Sequence, residues 1–113
     1  MKKAFLILTL MAVTFFIACS KKNHPAKVRP TTYTMDIAPL LQAKCTPCHL
    51  PSRGGKKANF ETYESAKRYA AEMLDRVMIA QGQRGFMPQK NEKLPETEIA
   101  FIKKWIDQGL LEK

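Results

Sequence analysis

Cysteine and histidine are scarce in this chain of 113 residues, three of the first and two of the second. That scarcity excludes a disulfide framework, which needs several paired cysteines. A four-ligand structural zinc site is also short of donors. Outside residues 45–49 only Cys19 and His24 remain, both in a polar, loop-like stretch. Acidic residues are few, 10 against 19 lysines and arginines, giving a formal charge of +9. No segment alternates apolar and polar residues like a half-buried strand, and no internal repeat is present. The apolar run Ala4 to Ala18 is broken by Thr9 and Thr14. It is too short for a comfortable transmembrane helix, which needs ~20 residues.

That run follows Lys2 and Lys3 and has the n-region and h-region of a secretory signal, expected over residues 1–18. Its end, Phe16-Ile17-Ala18-Cys19-Ser20, resembles a bacterial lipoprotein signal, with Phe16 where that family usually has leucine. The resemblance implies cleavage before Cys19, lipidation of Cys19, and an exported protein held by a lipid anchor on the periplasmic side of a bacterial membrane. The plainer alternative is ordinary cleavage, with Cys19 lost or left as a free thiol. Cleavage before Cys19 removes Lys2 and Lys3 and leaves about +7. A basic surface suits nucleic acid, anionic lipid or an acidic protein. Export argues against nucleic acid and leaves the other two.

Residues 19–32 are polar and basic, with Pro25 and Pro30. They read as a flexible tether with a reach of roughly 20 Å, in which His24 is solvated. The folded domain is expected over 33–113. Thr34 or Asp36 can cap a first helix that carries Ile37, Leu40 and Leu41 on one face, with Pro39 in its first turn. Leu50 to Phe60 reads as a loop, and its Gly54-Gly55 as a turn, since no strand precedes it for a phosphate cradle. Thr62 caps a helical stretch from Tyr63 to about Ile79. Tyr63, Ala66, Ala70, Met73 or Leu74, and Val77 form its apolar stripe, and a break near Ala70 is allowed. Gln81 to Lys93 is a second loop and holds Met87. A last helix starts at Pro95, buries Ile99, Ile102, Trp105 and Ile106, and is capped by Gly109. The fold class expected is all-α.

Cys45-Thr46-Pro47-Cys48-His49 carries the chemistry. The pattern C-x-x-C-H is a c-type haem attachment signal. Two thiols on one turn can add to the two vinyl groups, and the adjoining imidazole can reach the iron from the same side. The rival reading, a redox dithiol, wants a strand before it and a parallel sheet around it, and neither is visible. Met87 lies in a proline- and glycine-bounded loop where backbone can approach a ligand. Met35, Met73 and Met78 fall on packing faces.

With these parts together the chain resembles a class I cytochrome c domain of the small bacterial monohaem type. The likeness rests on Cys45 to His49, on Met87-Pro88, on Asp36-Ile37-Ala38-Pro39, and on Trp105-Ile106 ahead of Gly109, and it spans about Tyr33 to Leu111. It implies a helical domain around one covalently bound haem c, held by Cys45 and Cys48, with His49 and Met87 as axial iron ligands. It also implies that the first and last helices cross, bringing Leu40 or Leu41 against Ile102 or Trp105. Ile37 stands where the family has a glycine at that crossing, so the crossing is expected to be wider, or eased by a small residue such as Ala100. The function implied is that of a monomeric, membrane-tethered electron carrier, not an enzyme. Lys44, Arg53, Lys56, Lys57, Arg84, Lys90 and Lys93 are either a docking ring for an acidic redox partner or plain solvated surface. The alternative is a haem-based sensor, if Met87 is absent from the iron or displaceable. A peroxidase ranks below both, for want of a second motif or a distal histidine.

Overall fold

The computed structural model describes residues 28–113. The expected signal, Cys19 and most of the expected tether lie outside the described residues. The described chain is helical, and no strand is present among the described residues. A π turn over Tyr33–Ile37 runs directly into α1, Ala38–Lys44. A single 3-10 turn, Pro51–Arg53, follows. Next come α2, Tyr63–Arg68, and α3, Ala70–Met78, joined through Tyr69. The last helix is α4, Glu96–Asp107. It packs against α3 and against the π turn.

The π turn has a local cause in Pro39. Inside a helix, proline lacks an N–H and its ring collides with the carbonyl four residues back, here that of Met35. Just ahead of Pro39 the ladder widens. The Ile37 N–H donates to the Thr32 carbonyl and the Ala38 N–H to the Tyr33 carbonyl, each five residues back. The helix start also lies earlier than the sequence suggests. Thr32, not Thr34 or Asp36, is the cap: it is extended, and its hydroxyl accepts from the Met35 N–H at 3.3 Å. Asp36 sits one turn in and accepts from the Thr32 N–H at 2.9 Å, so the two cap each other.

The core joins the π turn, α1, α2, α3 and α4 in one cluster, with Trp105, Ile37, Leu41 and Ile102 as its most enclosed side chains. Ile37 is therefore accommodated in full. Ala100 is exposed and does not ease the crossing. Instead α4 meets the wide π turn. The α2–α3 stripe behaves as expected: Ala66, Ala70, Met73 and Val77 are buried, with Lys67, Arg68, Glu72, Asp75 and Arg76 outside. The break falls at Tyr69. At the end of α4, Gly109 at φ +89° donates to the Ile106 carbonyl, and the Leu110 N–H to that of Trp105. This is a Schellman closure, which needs a left-handed residue at that place.

The packed part reaches back past Tyr33. Thr31 and Thr32 are buried, and the Thr31 N–H donates to Gln108 Oε1 at 2.7 Å. The C-terminal residues return the contact: the Leu111 carbonyl accepts from the Tyr33 N–H and the Trp105 indole, each at 2.8 Å. Arg29 forks onto Asp36 with two 2.8 Å bonds.

The fork gives a pH-dependent prediction. Arg29 holds the Asp36 carboxyl below the usual carboxylate range, helped by the Thr32 N–H and opposed by partial burial. A depressed carboxyl stabilises fully above its unfolded pKa, about 3.9, and loses that contribution as pH falls through the lower folded value. Asp36→Asn keeps an acceptor for Thr32 and removes the charge. Its urea midpoint should fall below wild type near neutrality, and the gap should close as pH falls below about 4. A gap independent of pH would rule out the charge as its source.

Candidate functional site

The five-residue motif is a hydrogen-bonded turn that follows α1 directly. The Cys45 N–H donates to the Leu41 carbonyl at 2.9 Å, and the His49 N–H to the Cys45 carbonyl at 3.1 Å. The loop of residues 50–60 then folds back along this turn. The Lys57 N–H donates to the Cys48 carbonyl at 3.0 Å, and the Phe60 N–H to the His49 carbonyl at 2.9 Å.

This fold-back fixes the imidazole. His49 Nδ1 lies 2.8 Å from the Ala58 carbonyl oxygen. A carbonyl only accepts, so Nδ1 carries a proton, and in the neutral imidazole Nε2 is the nitrogen with the lone pair. The ring lies flat on Phe60, with centroids 4.2 Å apart and planes within 1°. Phe60 is held in turn by the Tyr33 hydroxyl, which donates to its carbonyl at 3.2 Å. Burial, and then the charge of Glu61, raise the Tyr33 pKa, which keeps that proton in place.

Cys45, Cys48, His49 and Met87 all line one cavity of about 430 Å³, inside the range of small-molecule and cofactor sites. Its walls come from the motif turn, from Met73 and Val77 of α3, and from the Met87-Pro88 segment, with Leu94 and Phe60 adding apolar surface. Lys44, Lys57, Arg76 and Lys90 also line it. The other expected ring cations, Arg53, Lys56, Arg84 and Lys93, do not line it. Of the rival methionines, Met35 and Met78 are exposed, 65% and 58%. Met73 is buried on α3 and lines the same cavity.

Both cysteines are unpaired. Burial pushes the Cys45 thiol up to about 11, opposite to the lowered pKa of a reactive dithiol. Among the described residues no group of three or more His, Cys, Asp or Glu could share a metal ion. The donor set is thus two thiols, one imidazole and two thioethers, those of Met73 and Met87, around a mostly apolar space. Thiols for covalent attachment beside nitrogen and sulfur donors for a metal, on a mostly apolar cavity, fit a group such as haem.

Sequence reasoning missed Ala58, Phe60, Tyr69 and Leu94. A backbone carbonyl carries no sequence signal. Tyr69 reaches the cavity because α2 and α3 break there.

Gly55 is the close approach that makes the fold-back possible. A Cβ there would sit 2.6 Å from the Cys48 carbonyl oxygen and nearer still to that of Pro47. Both are backbone atoms and cannot swing away. Gly55→Ala should cost about 1–3 kcal/mol in denaturant unfolding, whereas Gly54→Ala meets no neighbour and costs only the strain of its positive φ. Equal losses would remove the steric argument. No family model, curated protein or solved structure matches this chain.

Proposed function

We propose that this protein is a monohaem c-type cytochrome, a membrane-tethered carrier of single electrons in a bacterial cell envelope, with a cytochrome c-like helical fold. The observation that carries the proposal is the His49 imidazole, fixed through Nδ1 by Ala58 with its other nitrogen free, on the same apolar cavity as Cys45, Cys48 and Met87.

Cys45 and Cys48 would hold haem by thioether bonds, and His49 and Met87 would be the axial ligands. Bound haem would supply the one-electron redox chemistry of its iron. The Ala58 carbonyl orients the imidazole and raises its basicity as a ligand. The Met87 thioether is a soft donor that would favour the reduced metal and, as a ligand, would leave no open metal site for a substrate. Phe60, Val77 and Leu94 exclude water and disfavour extra charge at the metal. Lys44, Lys57 and Lys90 give the site a basic border suited to an acidic redox partner, and such a border acts chiefly on encounter rate. On this reading the protein is a carrier and not an enzyme.

Lipidation of Cys19 would confine the carrier near membrane-bound partners. Lys21 and Lys22 would add attraction to anionic headgroups.

Two experiments test this. The ferric wild type should show the weak near-infrared charge-transfer band of histidine–methionine haem. Met87→Ala should abolish it and Met73→Ala should keep it. The opposite pattern would move the ligand to α3, and a wild type without the band that binds carbon monoxide readily when reduced would point to a sensor. For the anchor, labelled palmitate should mark wild type but not Cys19→Ser; equal labelling rules out lipidation at Cys19.

A further inference from the structure

Met87 is not on a helix, so something must hold its segment against the cavity. Phe86 and Pro88 on either side of Met87 are buried, and two further contacts come from one residue of α3, Arg76. The Met87 N–H donates to the Arg76 carbonyl at 3.1 Å. The Arg76 side chain then crosses to the same segment: a Cβ on Gly85 would sit 2.8 Å from Arg76 Nη1 and 3.3 Å from Ile79 Cδ1. Gly85 is at φ +91°, so both its conformation and its missing side chain are used. The guanidinium is steadied from the other side by Glu72, one turn back, which accepts from Nη2 at 3.1 Å. Glu72, Arg76 and Met87 all line the cavity.

An exposed ion pair of this kind stabilises little in itself, since both side chains are about half in water. Its effect is geometric. Glu72 limits where the Arg76 guanidinium can lie, and that guanidinium closes over Gly85, two residues before Met87. We propose that Arg76 is the positioning residue for Met87: its carbonyl and its guanidinium, seated in the gap at Gly85, latch the Met87 segment to α3. The proposal rests on Met87 being the second axial ligand, so the test separates the latch from the ligand.

The test uses purified full-length protein with two readouts, the hydrogen-exchange rate of the Met87 amide and the histidine–methionine band with carbon monoxide binding to the reduced form. Arg76→Ala leaves the backbone carbonyl in place and removes only the guanidinium. It should speed Met87 exchange about tenfold, the scale of a typical single substitution's effect on local opening. It should also weaken the band and admit carbon monoxide faster. Arg76→Lys should fall between it and wild type. Gly85→Ala should resemble Arg76→Ala. In the Arg76→Ala background the Gly85 substitution should do less, because the guanidinium is gone and only the strain of its positive φ and the Ile79 contact remain.

Unchanged Met87 exchange in Arg76→Ala, or additive effects in the double variant, overturns the latch. If the wild type shows the band, and Arg76→Ala keeps it at full strength and binds carbon monoxide no faster, the positioning role falls while the ligand reading stands. If exchange responds but the wild type never shows the band, the latch stands and the ligand reading is what failed.

Discussion

The bond between His49 Nδ1 and the Ala58 carbonyl, 2.8 Å long, is the constraint on which the candidate site depends. It forces a surface loop to lie along the cysteine turn, and so it dictates Gly55, where no side chain fits. It selects one tautomer and leaves the other imidazole nitrogen available. Without it the His49 ring would be free to rotate on a turn of backbone, and the two cysteines beside it would define no common direction.

The bond is not isolated from the core. Phe60 stacks on His49, and Tyr33 holds Phe60 by its carbonyl. Tyr33 leans on Trp105 with ring centroids 6.1 Å apart, and on Tyr63 at 5.8 Å. Tyr63 in turn donates to the Leu110 carbonyl at 2.9 Å. A continuous set of contacts thus runs from the buried Trp105 to the imidazole, through ring pairs and the Tyr33 hydroxyl bond to the Phe60 carbonyl. Such rings have few rotatable bonds, and contacts between them favour particular angles. The site is rigid on the His49 side because the core is rigid. On the Met87 side the support comes from Arg76 of α3, from the buried Phe86 and Pro88, and from the bond of Asn91 to the Lys44 carbonyl.

Much of this was legible in the residues. Helical spacing foretold the buried faces of Ile37 and Leu41, of Ala66 to Val77, and of Ile99 to Trp105. Thr62 and Gly109 marked real helix ends. The C-x-x-C-H pattern and the breakers around Met87 named four side chains that do line one cavity. Less legible were features that depend on backbone or on distant partners. Thr32 was hidden as a cap because its role depends on Pro39 widening the next turn. Ala58 acts through its carbonyl, which every residue possesses. The division of the basic residues into those that line the cavity and those that do not follows from how two loops fold, and charge alone does not encode it.

The two ends of the folded region meet. Thr31 bonds to Gln108, Tyr33 to Leu111, and Thr34 to Glu112. A pull arriving along the chain from residue 28 therefore reaches first the Arg29–Asp36 fork and then this seam with the C-terminal segment. Several bonds lie side by side there and must share the load. They stand at the start of the π turn, whereas Cys45 follows the last residue of α1. Traction at the N-terminal side is thus taken up by the seam before it can reach the cysteine turn, and His49 can keep its geometry while the segment ahead of the seam is under tension.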